Sequence, residues 1–241
     1  YTDYGRSCGT DDLMRDEHLS GLLVLHHGQI LLERYALGLD PTQRWQSSSM
    51  VKSIASTLIG AALHDGLIKN LDDAMTRYLP DFAGTAYEGV TIRHLLNMTS
   101  GIGWTEDYED LRADVAEHYI LPIAERRAGY IRAYLKTLRR LDPPGTQFYY
   151  NTGDTFLLSL ILSTVTSKTV ARYCAEKIWG PCGMEVDGYF MLESDDGDEI
   201  TGSCCGASLR DYGRFGQLML NDGVAPDGTR VLLVGWAALA T

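Results

Sequence analysis

The sequence predicts an α+β fold from three observations. Residues 21–35, Gly-Leu-Leu-Val-Leu-His-His-Gly-Gln-Ile-Leu-Leu-Glu-Arg-Tyr, read as two strands around a His27-Gly28 turn. Later segments carry apolar residues at helical spacing, as in Ile54, Leu58, Ala61 and Ala62. A two-stranded hairpin alone is marginal as a sheet, so further strands must support it.

Along the chain, the helix that follows the serines Ser47, Ser48 and Ser49 should end at Asp65-Gly66, with Gly66 just past its C-terminus. A short helix is predicted over 67–80, ending before Pro80, and another over Val90–Met98. Residues 105–118 are acidic and poorly periodic and read as an exposed loop with helical pieces. Ala128–Leu138 is helical, and Asp142-Pro143-Pro144-Gly145 breaks it. Phe156–Val165 and Val170–Ile178 are buried helices, residues 181–206 suit loops and a hairpin, and Leu209, Tyr212, Phe215, Leu218 and Met219 mark a last amphipathic helix. No internal repeat or low-complexity tract is present.

With 241 residues the chain can bury a sizeable core, and 45% hydrophobic with 22% charged residues is ordinary for a globular protein. A formal net charge of −11 argues against nucleic-acid or anionic-membrane partners, which need basic surface. No apolar run approaches the roughly 20 residues of a bilayer span. The chain opens at Tyr1 with no signal-peptide pattern, which fits a processed protein, a trimmed piece or the ordered part of something longer. Five cysteines (Cys8, Cys174, Cys182, Cys204, Cys205) without regular spacing describe no disulfide framework; reduced, half-buried thiols are expected, with one bridge such as Cys174–Cys182 left open. Neither cysteines nor histidines have metal-ligand spacing, so no metal is expected.

The chemistry-bearing pattern is Ser49-Met50-Val51-Lys52 at the start of a helix. Side chains three apart on a helix are neighbours. A lysine beside a serine hydroxyl at a positive helix end can make that serine a nucleophile without a histidine. A second pattern, Tyr149-Tyr150-Asn151, follows the Pro-Pro-Gly break and offers a phenol and a carboxamide two residues apart. Tyr149 near Lys52 could take the Ser49 proton if the cation lowered its pKa, and Asn151 could bond both Lys52 and substrate. Each pattern alone also fits a plain role, Ser49 as a helix cap with Lys52 in solvent, Tyr149 and Asn151 as turn residues. Both together, in this order and in suitable elements, are far more specific.

With these motifs the sequence resembles the serine β-lactamase and penicillin-binding-protein superfamily, and within it the class C-like branch with esterases and 6-aminohexanoate-dimer hydrolases. The landmarks are Leu-Val-Leu-His-His-Gly, Ser49-Met50-Val51-Lys52-Ser53, Ile92 to Gly101, Tyr149-Tyr150-Asn151-Thr152-Gly153 and Arg210 to Leu220. The resemblance implies a β-lactamase/transpeptidase-like fold: an α/β sandwich domain from residues 1–68 and 207–241, with a mainly helical domain, 69–206, between. It implies Ser49 as the acylated nucleophile, Lys52 and Tyr149 as proton handlers, Asn151 and Tyr108 as substrate contacts, no cofactor, and the Ser49 N–H as half of an oxyanion hole. Members also carry Lys-Thr-Gly or His-x-Gly on a later strand, which is not here; strands beyond Thr241 are therefore expected to complete the sheet.

The reading is a serine hydrolase cleaving a small-molecule ester or short amide, periplasmic or cytoplasmic as its relatives are. The alternatives are β-lactamase or DD-peptidase activity, or a penicillin-binding-like module that acylates without turnover. A Ser-His-Asp hydrolase of the α/β type is disfavoured by the absence of Gly-x-Ser-x-Gly.

Overall fold

The structure is a computed structural model that describes residues 2–3 and 5–241. Strands β1 (Thr2–Asp3) and β2 (Arg6–Ser7) pair ahead of helix α1 (Thr10–Asp16). The predicted hairpin is present as β3 (Gly21–His26) and β4 (Gln29–Tyr35), antiparallel, with a register irregularity between Val24 and Leu25. His27 and Gly28 both have positive φ, the two-residue turn whose twist matches a hairpin.

A three-stranded sheet holds β5 (Trp45–Ser47), β6 (Tyr189–Phe190) and β7 (Cys205–Ala207) in the order β5-β7-β6, all antiparallel. Ser47 lies opposite Cys205 in this register, and β5 runs directly into α2 (Val51–His64). The hairpin in residues 181–206 thus takes the form of a long excursion between β6 and β7.

Helix α2 is apolar on nearly every side, with Val51, Ile54, Leu58, Ile59 and Ala62 all buried, as suits a helix at the centre of a core. It packs on α7 (Thr152–Thr166), whose first eleven residues are buried. A Cβ on Gly60 would come within 2.4 Å of the Trp236 indole, so glycine lets α10 (Trp236–Ala240) lie against α2. Around this pair lie α3 (Ile92–Leu96), α4 (Asp114–Tyr119), α5 (Leu121–Glu125), α6 (Tyr130–Leu135) and α8 (Val170–Cys174). The last predicted helix is α9 (Leu209–Leu220), held on the hairpin by Gly213 against Leu23 and by Arg210, which donates to Glu33 at 2.7 and 2.9 Å.

Two expectations change. Residues 67–80 form no α-helix; 3-10 turns occur at Met75–Arg77 and Pro80–Phe82. Pro80 disfavours helical backbone at Leu79, and Met75 N–H is taken by the Val90 carbonyl at 2.8 Å instead of a helical partner. After α8 the chain widens into a π turn over Ala175–Trp179. Cys174 and Cys182 are separate buried thiols, not a bridge. No helix among the described residues is long and apolar enough to cross a membrane.

Several helix starts carry buried carboxylates. Glu199 accepts from Val170 and Ala171 N–H at 2.7 and 2.8 Å, and Asp211 from Glu185 and Val186 N–H at 2.8 and 3.1 Å. Asp154 differs: it is fully buried in the first turn of α7, and burial pushes its carboxyl up to about 8. Between about pH 4 and pH 8 the native state therefore holds a proton that the unfolded chain releases, so this group lowers stability as pH rises through that window. Asp154→Asn is expected to raise Tm more at pH 8 than at pH 5, and thermal melts of both proteins across that range check it.

Candidate active site

The end of β5 and the start of α2 place the Ser-x-x-Lys pair. Lys52 N–H donates to the Ser49 carbonyl at 3.0 Å, a tight i to i+3 turn that leads into the helix. The Lys52 ammonium donates to Ser49 Oγ at 3.0 Å and to Thr152 Oγ1 at 3.1 Å, and it also bonds the Gly202 carbonyl. These acceptors come from α2's own entrance, the first residue of α7 and the loop before β7. Burial brings Lys52 down to about 8, opposed chiefly by the Glu106 carboxylate. A substantial fraction of it is thus a neutral amine, able to accept a proton, in mildly alkaline water.

The aromatic partner of Lys52 is Tyr150, whose ring centroid is 5.1 Å from Nζ. Tyr149 points elsewhere and donates to Asp142 at 2.7 Å on the exposed side of the turn. Asn151, buried, caps α7 by accepting from Asp154 N–H at 3.0 Å and does not reach Lys52. The placement of Tyr149 and Asn151 beside Lys52 is therefore corrected by one residue, to Tyr150 and Thr152. The physical reason is alternation: Asn151 is extended, and successive side chains of extended backbone face opposite ways. An asparagine immediately before a helix is a strong cap signal, and that signal could have set the register from the sequence.

Tyr108 is 59% exposed and donates to Glu106 at 2.6 Å. It lines a half-open cleft of about 370 Å³ with Gln46, Ser48, Tyr119, Met191 and Cys204. The cleft walls are mixed, with Val115, Ala116 and Ile120 apolar and Asp107 acidic.

Sequence reasoning missed Glu106, Thr152, Gly202 and His118. Glu106 accepts from the Thr152 hydroxyl and the Trp104 indole, and from Thr152 N–H at 3.4 Å. His118 is buried behind Thr152 and Gly202, in edge contact with Trp104, Tyr119 and Phe156; burial, then the Lys52 charge, lowers it to about 3, so it stays neutral. Only a serine–lysine pair announces itself by spacing; the others depend on loops brought together in space. Among the described residues no group of three or more potential metal ligands is present.

Comparison with known proteins gives the family and the fold. A Beta-lactamase family profile matches residues 10–240. The 6-aminohexanoate-dimer hydrolase of Paenarthrobacter ureafaciens is 31% identical over 224 residues, 89% of this chain and 55% of that protein. A solved structure from Bacillus anthracis, whose assignment as a 6-aminohexanoate-dimer hydrolase is provisional, superposes with TM-score 0.86 at 27% identity over 98% of this chain and 62% of that one. A class C β-lactamase shares the fold with TM-score 0.65 at 16% identity, over 88% of this chain and 62% of its own. The chain thus has a β-lactamase-like fold of mixed helix and strand, and spans somewhat over half the length of these relatives.

Gly202 packs so closely that a Cβ would meet the Thr152 carbonyl at 2.7 Å. Gly202→Ala is expected to push that loop off Lys52 and to cost about 1–3 kcal/mol, read from urea unfolding.

Proposed function

The chain belongs to the Beta-lactamase family, and on that premise we propose that it supplies the nucleophile half of a serine hydrolase that cleaves a carboxylic ester or short amide through an acyl-enzyme on Ser49. The observation that carries this is the 3.0 Å contact between Ser49 Oγ and an amine held near neutrality by burial. The neutral Lys52 amine takes the Ser49 proton as Oγ attacks the carbonyl carbon. The tetrahedral intermediate collapses by breaking the bond to the leaving oxygen or nitrogen, which takes the proton back from the Lys52 ammonium. Water then repeats the sequence on the acyl group, with Lys52 again accepting the proton, and Ser49 is restored.

Tyr150, with its ring against Lys52, replaces Tyr149 as the proton handler beside that amine: its phenol relays the proton of the Lys52 ammonium to the leaving group. The Ser49 N–H supplies one oxyanion donor. Tyr108 and the cleft beside Ser48 receive the acyl side of the substrate. The likeness to the Paenarthrobacter enzyme favours a small linear amide or ester over a β-lactam, because the more distant class C neighbours speak for the fold alone.

Three outcomes are expected in the full-length protein with a p-nitrophenyl ester. Ser49→Ala lowers turnover by about three orders of magnitude or more while the circular dichroism spectrum is kept. Tyr150→Phe lowers kcat/KM about 100-fold, whereas Tyr149→Phe stays within a few-fold of wild type. Because Lys52 must lose its proton to act, kcat/KM rises with pH and reaches half its plateau near pH 8. A flat profile, or retained turnover in Ser49→Ala, refutes the assignment. An acylated protein that does not turn over identifies a binding module instead.

A further inference from the structure

We propose that Glu106 is a positioning residue that aims the lone pair of Lys52 at Ser49, acting through the hydroxyl of Thr152. The inference rests on the reading of Ser49 and Lys52 as nucleophile and base. It follows from counting donors and acceptors around one nitrogen. A neutral lysine amine has two N–H donors and one lone pair. Lys52 Nζ has three polar neighbours: Ser49 Oγ, Thr152 Oγ1 and the Gly202 carbonyl. The carbonyl can only accept, so it claims one N–H.

The Thr152 hydroxyl could in principle donate to the amine or accept from it. It has a single proton, and the Glu106 carboxylate takes it. A carboxylate accepts only, so the hydroxyl has nothing but lone pairs left for Lys52, and it claims the second N–H. What remains on the nitrogen is its own lone pair, and the remaining neighbour is the Ser49 hydroxyl. The base is thereby oriented before substrate arrives. Glu106 is itself held: the Trp104 indole and the Tyr108 phenol both donate to it.

The same carboxylate also opposes the desolvation of the Lys52 ammonium. The groups that face Lys52 are Glu106, Cys204, His118 and Tyr150, with Tyr119 next to Glu106, Cys204 and Tyr150. Burial keeps the Cys204 thiol and the Tyr119 phenol raised and the His118 imidazole lowered, which leaves all three uncharged near neutral pH. Glu106 is the carboxylate of the set. Glu106→Gln therefore does two things: it lets an amide NH2 donate to Thr152, which frees the hydroxyl proton to occupy the Lys52 lone pair, and it removes the charge that favours the ammonium.

The test is the rate at which a fluorophosphonate probe labels Ser49, followed by intact mass across pH 5–10 in the full-length protein. Glu106→Gln is expected to lower the plateau rate about tenfold or more and to move the midpoint down by about one pH unit. Thr152→Ser keeps the wild-type profile and Thr152→Val does not, which poses the same question without altering Glu106. The Glu106→Gln/Thr152→Val double variant is no slower than Thr152→Val alone, since the carboxylate acts through the hydroxyl. An unchanged midpoint in Glu106→Gln, or losses that multiply in the double variant, overturns the proposal and leaves Glu106 a structural residue. Wild-type protein that takes no label on Ser49 refutes instead the nucleophile assignment beneath it.

Discussion

The desolvated amine of Lys52 is the constraint on which the rest of the site depends. An ammonium taken out of water is costly unless its protons find acceptors, and its pKa falls until the cost is bearable. Here three acceptors converge on it from three separate parts of the chain: Ser49 between β5 and α2, Thr152 at the start of α7 and Gly202 in the loop before β7. Each must be present for the others to be useful. The pairing of β5 with β7 fixes Ser49 relative to the Gly202 loop, and the packing of α2 on α7 fixes Lys52 relative to Thr152. The sheet and the central helix pair are thus the scaffold of a single nitrogen's coordination.

Much of the remaining order comes from acidic side chains turned inward to helix starts. Glu193 accepts from Ile131 N–H at 3.1 Å, Glu199 from the start of α8, and Asp211 is bonded by Ser208 and paired with Arg214. A carboxylate at a helix N-terminus satisfies donors that have no partner within the helix and meets the positive end of its dipole. Part of the chain's large negative charge therefore serves internal wiring. The loops that carry Glu193, Glu199 and Gly202 lie in the excursion between β6 and β7, and their inward carboxylates hold that excursion against α6 and α8. A loop that supplies a ligand to Lys52 is in this way tied to two helices.

The exposed side of the site has a different character. The cleft beside Ser48 combines apolar walls with the phenols of Tyr108 and Tyr119 and an acidic rim at Asp107. The loop that carries Tyr108 also carries Glu106, and Thr105 is bonded to Asp114 at the start of α4, at 2.6 and 2.7 Å. One short loop therefore shapes the mouth of the cleft and reaches the hydroxyl beside Lys52. On the proposed reading, that loop joins the substrate side of the site to its proton chemistry.

The sequence by itself determined the hairpin at 21–35, the helix after Ser49, the buried helix after the Pro-Pro-Gly break and the nearness of Ser49 to Lys52. These are local: turn chemistry, 3.6-residue spacing and a three-residue separation on one helix carry them without help from the rest of the chain. Tertiary structure decided that this turn meets Lys52 at all, and a local cap decided through which tyrosine. The tandem Tyr149-Tyr150 admits two registers, and Asn151 chose one when it capped α7 and turned Thr152 inward. Tertiary structure also decided that 67–80 would be turns, because a carbonyl from residue 90 took the N–H a helix needs. Gly202, Glu106 and His118 were not legible for the same reason. They are 150, 54 and 66 residues from Lys52 in sequence, and only the folded chain brings their atoms around one amine.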